Sequence, residues 1–131
     1  MISVAYVYDD SHSAFMICLL CQRQGGIRMH AFSSAKDLLE NLSLTPVDII
    51  LSDYDMPGMN GVELLATLRS QGDLTPFILF TPLELAETIG LVVARYPFVW
   101  ILSRGFTIRG QLHYLVTMIR LAALHPEVRQ G

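Results

Sequence analysis

Residues 47–65 read VDIILSDYDMPGMNGVELL, and this stretch decides how the chain folds. An apolar run leads directly into Asp53, which is followed by the turn-forming pairs Pro-Gly and Asn-Gly. After the last glycine the apolar residues recur at helical spacing. The stretch therefore predicts a buried strand, an acidic loop and a helix. Loops of this kind, at the carboxyl ends of parallel strands, are where ligands bind in open α/β sheets.

The composition fits one compact domain and excludes several classes of protein. The chain has 131 residues, 52% of them hydrophobic, which is enough to bury a core but too few for two ordinary domains. Its formal net charge is −3 and its 9 Lys and Arg are scattered, so we expect no direct nucleic-acid partner. Glu84, Glu87 and Arg95 interrupt the most apolar region, and we expect no membrane insertion. The amino terminus lacks a basic signal segment, which favours a cytoplasmic location.

Cys18 and Cys21 form a single CxxC in an apolar stretch with helical character. There is no second Cys or His pair at ligand spacing, so zinc is not expected. We interpret both residues as ordinary thiols of a helix.

The chain alternates between short apolar strands and helical segments. Strands are predicted at residues 2–8, in the apolar run before Asp53, and at 27–32, 77–81 and 99–102. Helices are predicted at about 12–24, 62–70, 83–95 and 108–124, with another capped by Ser33 or Ser34. This alternation predicts an α/β fold of three layers, with a doubly wound, five-stranded parallel sheet and five helices. We expect one domain at residues 1–125 and a tail at 126–131.

Three acids follow two of the predicted strands. Asp9 and Asp10 follow the first strand and Asp53 follows the third, so the acids converge at one edge if those strands are neighbours. Two carboxylates about 4.5 Å apart repel by about 3–4 kcal/mol at an effective dielectric constant near 20. A hard cation such as Mg²⁺ would offset that repulsion. The alternative is that these acids only cap a helix and a turn.

From Ile2 to about Leu124 the chain resembles the receiver domain of response regulators. The strongest match is IILSDYDMPGMNGVELL, the second is VAYVYDD, and a threonine stands at the end of the fourth strand. The resemblance implies a flavodoxin-like sheet in the order 2-1-3-4-5. It also implies a signalling domain of a two-component system that catalyses at most its own phosphorylation and dephosphorylation.

The resemblance further implies a role for each acid. Asp53 would be the phosphoacceptor, Asp10 a direct ligand of Mg²⁺, Asp9 a ligand through water, and Asp55 a ligand through its backbone carbonyl. The hydroxyl of Thr81 would move toward the phosphoryl group once that group has arrived.

Three residues depart from the family pattern. Arg104 stands where the family has a lysine, and its planar guanidinium is not equivalent to an ammonium group. Pro82 follows Thr81 and has no backbone N–H to donate. Ile101 occupies the position of a switching aromatic residue, with Trp100 next to it facing the other side of the sheet.

The resemblance also implies partners. The phosphoryl group would come from a sensor histidine kinase or a histidine phosphotransfer protein. Tyr114, Met118 and Leu121 form a second apolar stripe on the fifth helix, which indicates either deeper burial within the domain or a partner surface. Receiver domains use this face for pairing, so the resemblance favours a homodimer through helix 4, strand 5 and helix 5.

Two alternatives from other classes remain. The three departures favour a degenerate receiver that acts as an interaction or dimerisation module without phosphorylation. The sequence Asp53-Tyr54-Asp55 after a strand also resembles the start of a haloacid-dehalogenase-type phosphatase. That class needs a downstream lysine, and none follows Lys36.

Overall fold

The computed structural model describes residues 1–104 and 108–124, without the side chains of residues 11–13, 104 and 108–111. Within this part of the chain, strands and helices alternate as the sequence predicts. The strands are β1 (Ile2–Val7), β2 (Ile27–Phe32), β3 (Ile49–Asp53), β4 (Phe77–Pro82) and β5 (Val99–Arg104). The helices are α1 (Ser11–Arg23), α2 (Ala35–Asn41), α3 (Gly61–Ser70), α4 (Ala86–Val93) and α5 (Ile108–Ala122). The predicted tail at 126–131 lies outside the described residues.

The strands form one parallel sheet in the order β2-β1-β3-β4-β5, which confirms the predicted flavodoxin-like order. The chain leaves β1 toward one edge to form β2 and then returns to its other side to form β3. The connections that follow β1 and β3 therefore run in opposite directions along the sheet. In doubly wound sheets, ligands bind at this switch point between the two strands. Val7 pairs with Ser52, so the ends of β1 and β3 lie side by side.

Helices cover both faces of the sheet. On one face, Val4, Tyr6 and Leu51 pack with Leu115 and Ile119 of α5 in one buried cluster. On the other face, residues of the same strands pack in a second cluster with buried side chains of α2, α3 and α4. Burial on both faces explains why the strands are apolar throughout instead of alternating with polar residues.

The helix boundaries differ from the prediction most clearly at α4. The segment predicted at 83–95 begins with a 3₁₀ turn, Leu83–Leu85, and only then becomes α-helical. Pro82 precedes this turn and gives it no side-chain cap. By contrast, α2 has the predicted cap, because the Ser34 hydroxyl accepts a hydrogen bond from the Asp37 N–H at 3.0 Å.

The structure bears on two sequence predictions: that no segment inserts into a membrane, and that the two cysteines are ordinary thiols of a helix. No helix in the described ranges is long and apolar enough to cross a membrane. Both cysteines lie on α1 as free thiols, Cys18 half-buried and Cys21 buried. Their position on a packed helix agrees with the interpretation of ordinary thiols.

Candidate functional site

A cavity of about 130 Å³ opens at the carboxyl ends of β1, β3 and β4. It lies at the switch point of the sheet, and six of its eight lining residues carry a polar group in their side chains. The lining residues are Asp9, Asp10, Asp53, Tyr54, Asp55, Phe80, Thr81 and Pro82. All four acids singled out in the sequence, together with Thr81, therefore surround one space.

Asp53 is the last residue of β3 and is only 6% exposed. Its Oδ2 accepts a hydrogen bond from the Asp9 backbone N–H at 3.0 Å, and its Oδ1 accepts one from the Tyr6 phenol at 3.3 Å. A buried carboxylate needs such donors, because removing a charge from water is costly unless hydrogen bonds replace the hydration. The two bonds fix the orientation of the carboxyl group at the cavity.

The loop after Asp53 is anchored by the backbone. The Tyr54 N–H donates to the Phe80 carbonyl at 2.8 Å, and the Gly61 N–H donates to the Tyr54 carbonyl at 2.8 Å. A capping box then starts α3: Asn60 Oδ1 accepts from the Glu63 N–H, and Glu63 accepts from the Asn60 N–H. The loop that carries Asp55 is therefore held at both ends.

Asp9, Asp10 and Asp55 are exposed at the cavity rim. Within the described part of the chain, no three His, Cys, Asp or Glu side chains form a preassembled metal cage. Mg²⁺ does not require one, because it keeps several water ligands and binds through one or two carboxylates. The lining supplies hard oxygen donors, and these fit Mg²⁺ better than a softer metal.

Thr81 is fully buried on β4, and its Oγ1 has no hydrogen-bond partner among the described residues. An unsatisfied buried hydroxyl costs about 1–3 kcal/mol. Because Thr81 lines the same cavity as Asp53, a phosphoryl oxygen bound there could accept its hydrogen bond.

The three departures from the family pattern have different surroundings. Arg104 pairs with Pro82 at the end of β5, but its side chain lies outside the described residues. Ile101 packs in the cluster that contains α4, whereas Trp100 packs in the cluster on the opposite face. A Cβ placed on Gly90 of α4 would be 3.6 Å from the Ile101 Cδ1 atom, so this isoleucine lies directly beneath α4.

Sequence reasoning missed two polar side chains near Asp53. Tyr6 looked like an ordinary residue of an apolar strand, and Ser52 looked like part of the run before the acid. Ser52 is fully buried and its hydroxyl donates to the Asp53 carbonyl at 2.8 Å. The sequence did contain a signal for these contacts. Tyr6 and Ser52 each place a hydroxyl in a strand whose side chains had to be buried, and a buried hydroxyl normally has a hydrogen-bond partner.

The fold and the acidic cavity define a class of protein: a doubly wound α/β domain with carboxylates gathered at its switch point. A family model described as "Response regulator receiver domain" matches residues 4–93. The chain belongs to this family, whose members are signalling domains of two-component response regulators. This assignment does not support the alternative of a haloacid-dehalogenase-type phosphatase.

Relatives of this chain include much longer proteins. The DNA-binding transcriptional regulator NtrC of Klebsiella pneumoniae is 30% identical over 78 residues, which are 60% of this chain and 17% of NtrC. The response regulator protein TodT of Pseudomonas putida is 28% identical over 76 residues, which are 58% of this chain and 34% of TodT. The similarity thus spans only a minor part of each relative.

Solved structures share the fold. The receiver domain of Francisella response regulator 1452 has a TM-score of 0.81 at 23% identity, covering 96% of this chain and 99% of that one. A response regulator receiver domain protein from Clostridium thermocellum has a TM-score of 0.82 at 18% identity, covering 98% of both chains. At these identities the likeness describes the fold alone.

Proposed function

We propose that this domain accepts a phosphoryl group on Asp53, with Mg²⁺, from the phosphohistidine of a sensor histidine kinase or histidine phosphotransfer protein. The observation that carries the proposal is the position of Asp53. Its carboxylate is buried and accepts two hydrogen bonds, and it shares one cavity with the Thr81 hydroxyl, which has no hydrogen-bond partner among the described residues.

The proposed transfer is chemically simple. A carboxylate oxygen of Asp53 forms a bond to phosphorus while the donor's bond to phosphorus breaks, and its electron pair leaves with the donor. Negative charge spreads over the phosphoryl oxygens, so positioning and positive charge lower the barrier. A bound Mg²⁺ would supply that charge, held by Asp10 and Asp53 directly, Asp9 through water and the Asp55 backbone carbonyl.

Arg104 is proposed as the second positive group, in place of the family's lysine. The phosphoryl group would also accept a hydrogen bond from Thr81. Pro82 cannot donate the backbone hydrogen bond expected from that position, and a charge-assisted bond is worth about 1.5–3 kcal/mol. The proposed switching of the surface formed by α4, β5 and α5 is therefore weaker than in a receiver with a residue that has an N–H there.

The test is the intact mass of the protein after incubation with Mg²⁺ and a small-molecule phosphodonor. We expect one phosphoryl adduct on the wild type, none on Asp53→Asn, and an undiminished adduct on Asp37→Asn. Asp37 is an acid on α2 that does not line the cavity. Omitting Mg²⁺, or changing Asp10 to Asn, should greatly slow the reaction. An adduct that persists in Asp53→Asn would refute the proposal.

A second candidate function is an interaction or dimerisation module, and exposed apolar side chains favour it. Leu91 on α4 is 76% exposed, and Tyr114 and Leu121 on α5 are both more than half exposed. Met118, predicted for the same stripe, is half-buried against the core. Light scattering over a range of concentrations tests this candidate. We expect a dimer that Leu121→Glu converts to a monomer, and a mass that stays monomeric in the wild type would exclude dimerisation.

A further inference from the structure

Tyr6 is the last residue but one of β1 and is fully buried, yet its phenol reaches the carboxylate of Asp53. The hydroxyl donates to Oδ1 at 3.3 Å across 47 positions of sequence. Neighbouring rings hold the phenol in place: Tyr8 lies edge-on at 6.1 Å between centroids, and Phe80 is tilted at 6.5 Å. This donor approaches Asp53 from the core, whereas Asp9 approaches it from the loop.

A hydrogen bond to a carboxylate depends on the charge of its acceptor. Bonds to ionised groups are about twice as strong as bonds between neutral groups. When Asp53 becomes an acyl phosphate it is no longer a carboxylate anion, and the phenol then faces a carbonyl or ester oxygen of lower charge. The Tyr6 bond therefore stabilises the unphosphorylated state of Asp53 more than the phosphorylated state.

We propose that Tyr6 is a positioning residue that orients the Asp53 carboxylate and shortens the lifetime of its phosphorylated form. This inference rests on the proposed function of Asp53. In hydrolysis, a water oxygen forms a bond to phosphorus, the bond from phosphorus to the Asp53 oxygen breaks, and its electron pair returns to the carboxylate. Inorganic phosphate and a proton leave to solvent. The phenol keeps its own proton, and its hydrogen bond strengthens as negative charge develops on the leaving carboxylate.

The experiment compares Tyr6→Phe with the wild type. Both proteins are phosphorylated with Mg²⁺ and a small-molecule donor, the donor is removed, and the decay of the adduct is followed by intact mass. We expect the half-life to lengthen about three- to tenfold in Tyr6→Phe, from the difference between a charge-assisted and a neutral hydrogen bond. Tyr8→Phe is the matched control, because it removes a phenol that follows the same strand directly and lies outside the cavity lining, and its half-life should not change.

The direction in which the half-life of the adduct changes distinguishes a positioning role of Tyr6 from a merely structural one. A variant that only loosens the site admits water and shortens the half-life, so a shorter or unchanged half-life in Tyr6→Phe overturns the inference while the proposed function stands. A wild type that takes no phosphoryl group at Asp53 overturns both.

If Tyr6→Phe does not fold, an NMR measurement on the protein without the substitution tests the same inference. With ¹³C at the tyrosine Cζ position, the Tyr6 resonance should shift when beryllofluoride binds with Mg²⁺, because the charge of its acceptor changes. A resonance that stays fixed while beryllofluoride binds also overturns the inference.

Discussion

At the scale of single residues, Gly61 sets how closely α3 approaches the end of β3. A Cβ atom at this position would lie 2.5 Å from the Leu79 Cδ1 atom and 2.6 Å from the Asp53 carbonyl oxygen. The second contact is with backbone, which cannot rotate away as a side chain can. Gly61 is therefore required by the space next to Asp53, and any side chain there would displace the loop of the site.

Gly61→Ala should destabilise the domain by about 1–3 kcal/mol, the usual cost of overpacking a tight site. The same substitution at Gly90 is the control, because a Cβ there makes only an ordinary contact of 3.6 Å inside α4. Gly90→Ala should stabilise the domain by about 0.5–1 kcal/mol through helix propensity. Urea unfolding measures both free energies, and equal changes of the same sign would contradict this account of Gly61.

Cys21 shows the effect of burial on a titrating residue. Burial, and then the nearby Cys18, raise the pKa of the Cys21 thiol from its ordinary value of 9.0 to about 12. The unfolded chain therefore loses this proton at lower pH than the folded chain. The contribution to stability is complete below pH 9 and is lost as the pH rises toward 12.

We expect the wild type and Cys21→Ala to differ in their free energy of unfolding by a constant amount below pH 9. The difference should narrow between pH 9 and 12, because only the wild type carries the thiol. Chemical unfolding over this pH range provides the measurement. Curves that stay parallel up to pH 12 would show that the thiol titrates equally in both states.

At the scale of secondary-structure elements, Arg69 joins the end of α3 to the loops before β4 and β5. Its guanidinium donates to the carbonyls of Asp73 at 2.8 Å, Thr75 at 2.9 Å and Pro97 at 3.1 Å. It also donates to the Phe98 carbonyl at 3.3 Å. Phe98 has a positive φ of 57°, a conformation that costs about 1–2 kcal/mol outside glycine, and these bonds help to hold it.

Arg69→Ala should therefore destabilise the domain by about 2–4 kcal/mol, because it removes several charge-assisted bonds at once. Arg69→Lys should recover only part of this loss, since an ammonium group cannot reach all of these carbonyls in the geometry of a planar fork. Arg95→Ala is the control: Arg95 is exposed and stacks on Tyr96 at 5.0 Å. A loss for Arg69→Ala no larger than that of Arg95→Ala would contradict the proposed role.

At the scale of the whole molecule, the sequence predicted the layers and the order of the elements, because periodicity and turn residues are local signals. The helix after Asp53 was predicted within one residue, since the Asn-Gly pair fixes its start. The resemblance to receiver domains supplied the sheet order. Long-range polar contacts were not predictable in the same way. Tyr6 meets Asp53, and Arg69 meets Phe98, only because the sheet register brings distant segments together.

The strand and helix boundaries that the sequence did not predict also have physical causes. β5 extends beyond Leu102 to Arg104 because β4 provides pairing partners as far as Pro82. The start of α4 depends on a proline that gives no cap, so a 3₁₀ turn replaces the predicted first helical turn. The cavity itself was predictable in outline, since three of its acids follow strands that proved to be neighbours.

The central claim is that Asp53 accepts the phosphoryl group, and peptide-level localisation tests it most directly. Borohydride reduction of a phosphorylated sample converts an aspartyl phosphate to homoserine, which tandem mass spectrometry assigns to a single position. We predict homoserine at position 53 alone, formed only when Mg²⁺ and the phosphodonor were both present. Homoserine at Asp9, Asp10 or Asp55 instead, or none on a folded protein, would contradict the claim.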